Sequence, residues 1–277
     1  MNKLLRIAPE VAAALERRLP VVAFETTILS FGLPQPINRT VGTLCEEVAR
    51  EAGCVPATVA ILHGEVAVGL SAAEIDYFCS QPPEVTKVNL QNFAAVLAAR
   101  KPGALTVAAS VRACALAGLR VFATGGIGGV HRGFAQSLDI SSDLSALAQY
   151  PVIVVSAGAK SILDVAATLE ALETLGVPVV GYRTDRFPLF FSADSPHRLD
   201  ITCDSPEEIA ALARTPFACD GKGMLVVTPV PPSHSIALPE LERWIDTALA
   251  EAAAFRRCGR ITGNAYHDRT ERGGNLR

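Results

Sequence analysis

The sequence predicts an α/β layer fold, and three observations carry that expectation. Short β-branched runs alternate with segments of helical periodicity along the chain. From Leu119 to Val180 the order is strand, loop, helix, strand, helix, strand, which is that of parallel strands joined by crossover helices. The 277 residues are 49% hydrophobic and 19% charged, which suits one large core or two small ones and excludes a disordered chain.

Taken in order, Leu19–Phe24 (LPVVAF) reads as the first strand. Asn38 is expected to cap a helix that runs through Ala52 and stops at Gly53. Ala57–Leu62 and Val66–Leu70 read as a hairpin across His63-Gly64-Glu65. Ser71 with Glu74 forms a capping box for the next helix. Thr106–Ala117 is a helix pattern ended by Gly118, and Leu119–Ala123 a strand that runs into Thr124-Gly-Gly-Ile-Gly-Gly-Val-His-Arg-Gly133. Ser142 or Asp143 is expected to cap a short helix to Gln149, Val152–Val155 a buried strand, and Ser161 with Asp164 the cap of a helix to Leu175. Val177–Val180 and Met224–Thr228 read as strands. Ser205-Pro206-Glu207-Glu208 starts a helix, and Pro239–Arg257 forms another. From Gly259 onward the chain turns polar and loses periodicity, as in an irregular tail.

Several function classes are excluded early. A net charge of −3 argues against a broad nucleic-acid or anionic-membrane surface. Mean hydropathy is high at +0.30, yet the apolar stretches break at Arg112, Gly125-Gly126 and Lys160, so no transmembrane helix is expected. The first twenty residues lack the apolar run of a signal peptide. Seven cysteines without a CxxC indicate neither a disulfide framework nor a thiolate zinc site, and Cys45 and Cys114 read as small buried hydrophobes. A soluble cytoplasmic enzyme is the default expectation.

In open α/β sheets ligands bind outside the carboxyl ends of the strands, and three candidates fall there. Glu25 follows VVAF, where burial would raise its pKa toward general-acid use; a capping or salt-bridged carboxylate is the alternative. Thr124 opens the glycine run. That run matches neither a Walker A loop nor G-x-G-x-x-G, although its N–H groups could bind an anion. Lys160 follows VIVVSAGA and is one of only five lysines. Buried there, its amine would be a nucleophile for a sugar carbon; extended into solvent, it would be an ordinary charge. Asp139, Ser141, Ser142 and Asp143 offer oxygen chemistry suited to Mg²⁺ or Mn²⁺, or else helix capping. The five histidines show no metal-ligand spacing.

Together these segments resemble the pseudouridine-5′-phosphate glycosidase (pseudouridylate synthase) family, to which indigoidine-synthesis A-type proteins are related. The similar stretches are FETTILSFGLPQPIN (24–38), GCVPATVAILHGEVAVGL (53–70), TVAASVRACALAGLRVFATGGIGGVHRG (106–133), DISSDLSALAQYPVIVVSAGAKSILD (139–164) and TLEALETLGVPVVGYRTDRFPLF (168–190). The resemblance implies a single-domain α/β/α sandwich of three layers around a central, mostly parallel or mixed sheet, spanning 1–258, with 259–277 as a truncated tail. It also implies a homotrimer. Glu25 then matches the family's proton donor and Lys160 its nucleophile, which forms an imine-type adduct with ribose 5-phosphate. Lys87, Val107 and Ser141, Ser142 and Asp143 match substrate-binding positions, with Thr124 in the same loop. Asp139 matches the ligand of one Mn²⁺ per subunit, and no organic cofactor is implied.

The implied activity is reversible cleavage of the C–C bond of pseudouridine 5′-phosphate to uracil and ribose 5-phosphate. Two other readings compete with it. One keeps the fold but acts on another sugar phosphate or C-nucleoside in pigment synthesis. The other is an inactive phosphonucleoside-binding homologue. The family's pattern continues past Arg277 with a segment bearing an active-site Asn. Neither Asn264 nor Asn275 stands in that context, so deletion of Ala265–Arg277 is expected to change stability and activity little.

Overall fold

A computed structural model gives the structure of the chain and describes residues 4–219 and 221–257; the expected tail at 259–277 lies outside them. Among the described residues, eleven strands form one sheet. They are β1 (Leu5–Ile7), β2 (Val21–Glu25), β3 (Val55–Leu62), β4 (Glu65–Val68), β5 (Thr86–Val88), β6 (Gly103–Leu105), β7 (Val121–Ala123), β8 (Ile153–Ser156), β9 (Val179–Tyr182), β10 (Ile201–Cys203) and β11 (Met224–Val227). The order is β1-β4-β3-β2-β7-β8-β11-β9-β10, with β5 and β6 branching from β3. Every pairing is parallel except β3 with β4 and β3 with β6. The sheet is therefore mixed but mostly parallel, and helices cover both of its faces.

Alternation along the strands sorts the core into layers. In β3, Val59 and Ile61 join a large cluster that contains Val107, Val111, Leu144 and Leu172, whereas Ala60 and Leu62 join a second cluster with Leu29, Ile75 and Phe78. In β11, Leu225 and Val227 face the first cluster, and Met224 and Val226 face a third with Ala213. One outer layer is thus built from α1 (Pro9–Glu16), α4 (Phe93–Ala98), α5 (Val107–Ala117), α7 (Ser142–Gln149) and α8 (Val165–Thr174). The opposite one has α2 (Ile37–Glu51), α3 (Ala72–Cys79) and α9 (Pro206–Cys219). Two further helices among the described residues are the single turn α6 (Phe134–Ser137) and α10 (Leu238–Arg257).

Three local signals form as the sequence predicts. The hairpin forms, with Leu62 opposite Glu65 and positive φ at both His63 and Gly64, the backbone of a two-residue type I′ loop. Ser71 and Glu74 make the capping box, and Thr106 and Gly118 bracket α5. Other capping expectations are corrected. Asn38 does not cap α2: it is fully buried, and its amide donates to the Leu29 and Cys79 carbonyls at 2.7 and 2.8 Å, stapling α2 to α3 and to the turn at Ile28–Gly32. Ser141, not Ser142 or Asp143, caps α7. Asp164 alone caps α8, because the Ser161 hydroxyl donates to the Leu189 carbonyl. Cys114 is buried as expected and its thiol pKa is pushed up by burial, but Cys45 is only half-buried.

Candidate active site

The register of the parallel strands aligns the ends that carry chemistry. Phe24 of β2 pairs with Ala123 of β7, and Ala123 pairs with Val155 of β8. The next residues, Glu25, Thr124 and Ser156, consequently stand level at the carboxyl edge of the sheet. Thr124 donates its hydroxyl to the Glu25 carboxylate across this edge.

The segments after β7 and β8 continue the ladder instead of diverging. Ala157 N–H donates to Gly125 O, Ile127 N–H to Gly158 O, and Lys160 N–H to Ile127 O, each at 3.0 Å. Lys160 is thereby fixed by its backbone four residues past β8, while its side chain is exposed. Of the two readings open from the sequence, the buried lysine is not the one observed. Gly158 is indispensable here: its φ is +90°, and a Cβ would lie 2.0 Å from the Pro188 carbonyl oxygen.

The glycine run is tied into the protein at several of its amides. Gly128 N–H donates to Asp143 Oδ2 at 2.7 Å, Val130 N–H to the Thr168 hydroxyl at 3.0 Å, and His131 N–H to Asp139 O at 3.1 Å. A Cβ on Gly128 would sit 2.4 Å from Ser141 Oγ, so the glycines serve close approach of the loop to the start of α7. The other Asp143 oxygen accepts from Ala108 N–H at 2.8 Å. With 4% exposure, Asp143 braces the loop against the first turn of α5.

Burial dominates the electrostatics of Glu25, which is 9% exposed, and holds its pKa above the usual carboxylate value. The positive charge of Lys160, the Thr124 hydrogen bond and Lys87 oppose the rise, while Asp143 adds to it. Four sites expected from the sequence therefore act on a fifth. Lys87 lies on β5, whose Val88 carbonyl accepts from Thr106 N–H at 2.9 Å, and this contact brings Lys87 toward Val107 at the first turn of α5. The Ala108 and Ala109 amides there are taken by Asp143 and Thr106. Ser141 and Ser142 sit at the start of α7 beside the loop.

Asp139 precedes the Ser141 cap of α7 by two residues, and its carbonyl accepts from His131 N–H of the loop. Its side chain is 56% exposed, and its nearest partner is His131, with Nδ1 to Oδ2 at 4.0 Å. Among the described residues no group of three His, Cys, Asp or Glu side chains could share an ion. The donor set fits a hard cation that keeps most of its water and is anchored by one carboxylate, and not a closed cage.

A cavity of about 250 Å³ opens beside Glu25 on the α2 face, walled by Phe24, Ile28, Leu29, Val41, Cys45 and Ile75. The sequence reading missed this wall. Its signal is the apolar residue at every third or fourth position of α2, but which neighbour that face meets is set only by the fold. A larger cavity of about 330 Å³, between Arg132, His197 and Glu242, has none of the three strand-end residues in its lining.

A model of the family described as indigoidine synthase A like protein matches residues 10–268. The pseudouridine-5′-phosphate glycosidase of Symbiobacterium thermophilum is 48% identical over 260 residues, 92% of this chain and 84% of that protein. That of Escherichia coli K12 is 48% identical over 256 residues, 91% of this chain and 81% of the relative. Among solved structures, the prealnumycin C-glycosynthase AlnA in complex with ribulose 5-phosphate superposes with a TM-score of 0.85 at 36% identity, covering 96% of this chain and 85% of that one. An indigoidine synthase A-like protein from Thermotoga maritima gives 0.81 at 34% identity, covering 89% and 81%.

Proposed function

Because the chain belongs to the indigoidine synthase A like family, we propose that it is a pseudouridine-5′-phosphate glycosidase, an enzyme that cleaves a C–C glycosidic bond. The observation that carries this reading is the buried Glu25, held by Thr124 and facing the charge of Lys160 at the carboxyl edge of the sheet.

A carbon leaving group resists departure until it is protonated, and the two side chains divide that work. Once its proton is given up, the Lys160 amine attacks the anomeric carbon; the bond from that carbon to the ring oxygen breaks as the nitrogen–carbon bond forms, and a proton of the attacking nitrogen passes to the ring oxygen. Glu25, biased toward its protonated form, delivers a proton to uracil C5 as the C1–C5 bond breaks. Water then hydrolyses the Lys160 imine, releasing ribose 5-phosphate and restoring the amine. The same steps run in reverse join the two products. The exposure of Lys160 suits this role, since the amine must reach a sugar carbon that is delivered from outside.

Lys87 and the Val107 amide at the start of α5 would receive the 5′-phosphate, with Ser141 and Ser142 alongside. Asp143 would keep the loop in place. Asp139 would hold a hydrated Mn²⁺, which when bound supplies positive charge for a phosphorylated substrate. No organic cofactor is required by these steps.

Self-association as a trimer is supported by α2. Ile37, Leu44 and Val48 line one face of that helix and are each 52–53% exposed. A cytoplasmic setting is supported by free thiols at every described cysteine and by the lack, among the described residues, of a helix long and apolar enough to cross a membrane.

Borohydride reduction in the presence of ribose 5-phosphate tests the central claim. The expected result is one pentose phosphate on the peptide carrying Lys160, with uracil release from pseudouridine 5′-phosphate abolished in Lys160→Ala and reduced by EDTA. An adduct on Lys87, or undiminished turnover in Lys160→Ala, overturns it. Light scattering that gives only the 29.2 kDa monomer removes the trimer.

A further inference from the structure

The chain between β9 and β10 folds back onto the segment that follows β8. We propose that Phe190, at the apex of that return, is a positioning residue: it clamps the loop after β7 to the loop after β8 and so sets Lys160 against Glu25. This role rests on Lys160 and Glu25 as the reacting pair described above.

Phe190 holds a backbone conformation that bulky side chains rarely take, with φ at +63°. Such a conformation persists only where its surroundings over-determine it, and such places cluster at functional sites. Here the surroundings are dense. Phe190 N–H donates to Ala157 O at 3.0 Å, Leu189 bridges Gly158, and the Ser161 hydroxyl donates to Leu189 O at 2.9 Å. On the other side, Phe191 O accepts from Ile236 N–H at 2.8 Å, and Leu189 N–H donates to Ser192 O at 2.9 Å.

The backbone so held puts the Phe190 ring on the glycines that follow Thr124. A Cβ on Gly126 would lie 2.4 Å from Phe190 Cδ2 and 2.7 Å from Cε2, and one on Gly125 would lie 3.4 Å from Cε2. Nothing larger than a hydrogen fits between Gly126 and the ring. The Phe191 ring packs against it in a T shape, with centroids 4.5 Å apart. Phe190 therefore touches both segments that carry chemistry. Its ring lies on the one that begins with Thr124, the partner of Glu25, and its amide holds the one that ends in Lys160. The direct ladder between those segments sets small residues against each other, Gly125 with Ala157 and Ile127 with Gly158. Side-chain packing across it has to come from outside, and Phe190 supplies it. A reacting group misplaced by about 1 Å can lose about 10²-fold in rate.

Phe190→Ala and Phe190→Gly separate the ring from the backbone. Both delete the ring, but only Gly takes a positive φ freely, so Phe190→Gly should be the more stable of the two. Uracil release should nonetheless fall in kcat by about ten- to a hundredfold in both, with KM little changed. Gly126→Ala displaces the ring from the other side and should match that loss. The double variant Gly126→Ala/Phe190→Ala should be no slower than either single one, because one contact is removed only once. A second readout needs no substrate. Glu25 is influenced by Lys160, Thr124, Asp143 and Lys87, and the Lys160 charge is foremost among those that oppose the rise brought by burial. A Lys160 released from its position opposes it less, so Glu25 should titrate at higher pH in both Phe190 variants. Its ¹³C carboxyl resonance, identified by its loss in Glu25→Gln, reports this. A residue that only supports folding would leave that titration in place. Borohydride trapping of ribose 5-phosphate on the parent chain reports separately on the catalytic reading. If trapping fails while the Glu25 titration still moves, the glycosidase is removed and the clamp stands. A kcat that recovers with stability in Phe190→Gly, losses that multiply in the double variant, or a Glu25 titration unmoved in both Phe190 variants overturns the clamp.

Discussion

Replacing Asp143 by Asn alters one oxygen, and the structure fixes what that removes. The carboxylate is 4% exposed and accepts two amides, Gly128 N–H at 2.7 Å and Ala108 N–H at 2.8 Å. Hydrogen bonds to a charged group contribute about 1.5–3 kcal/mol each. Asn keeps one carbonyl oxygen and turns an NH₂ toward the other amide, whichever way it is flipped. One bond is lost and one buried N–H is left without an acceptor, for a destabilisation of about 2–3 kcal/mol. In a chain of this size that lowers the melting temperature by roughly 5–10 °C. Asp143→Ala loses both bonds and should cost about 3–6 kcal/mol. A second effect follows at Glu25, because the Asp143 charge is one of the causes that raise its pKa. With Asn in place Glu25 titrates lower, and the alkaline fall of kcat moves to lower pH. Differential scanning fluorimetry and a pH–rate profile read the two effects. A melting temperature within about 1 °C of the parent, with an unmoved profile, would refute the brace.

Glu25→Gln should lower kcat by about 10²- to 10⁴-fold with substrate binding largely retained; near-parental kcat would exclude it as the acid. The same variant carries a stability prediction with a definite sign. The folded pKa of Glu25 lies above the unfolded value of 4.5, so the folded state binds more protons and parental stability falls as pH rises through that window. Gln escapes this loss, so the variant should gain stability relative to the parent toward alkaline pH, and melts that show a pH-independent difference would contradict it. Asn38→Ala removes donors to Leu29 and Cys79 and the acceptor for Arg39 N–H, and should cost about 2–4 kcal/mol as a shift of the urea midpoint; an unchanged midpoint would mean that the staple is idle. Asp139→Asn should weaken the Mn²⁺ dependence of turnover, and superimposable metal titrations of variant and parent would remove the ion from Asp139.

Much of this architecture is written in short-range signals. The capping box at Ser71 and Glu74, the Thr106 cap with Gly118 closing α5, and the His63-Gly64 hairpin each involve residues within a few positions, so the local chain alone dictates them. The strand–helix order from Leu119 to Val180 likewise implied parallel pairing, and with it the edge where Glu25, Thr124 and Lys160 stand. What those residues meet there came from closure of the sheet. Glu25 and Thr124 are 99 residues apart in sequence, Ala108 and Asp143 35, and Asn38 and Cys79 41. Ser, Asn and Asp serve equally well as caps and as long-range braces, and only the partner brought near by packing decides between the two roles. Asn38 and Asp143 were thus legible as polar residues at helix starts but not as a staple and a brace. Lys160 was legible as a strand-end lysine. Its exposure was not, because burial depends on which segments fold back over the loop, and that is a property of the packed layers and not of the chain around it.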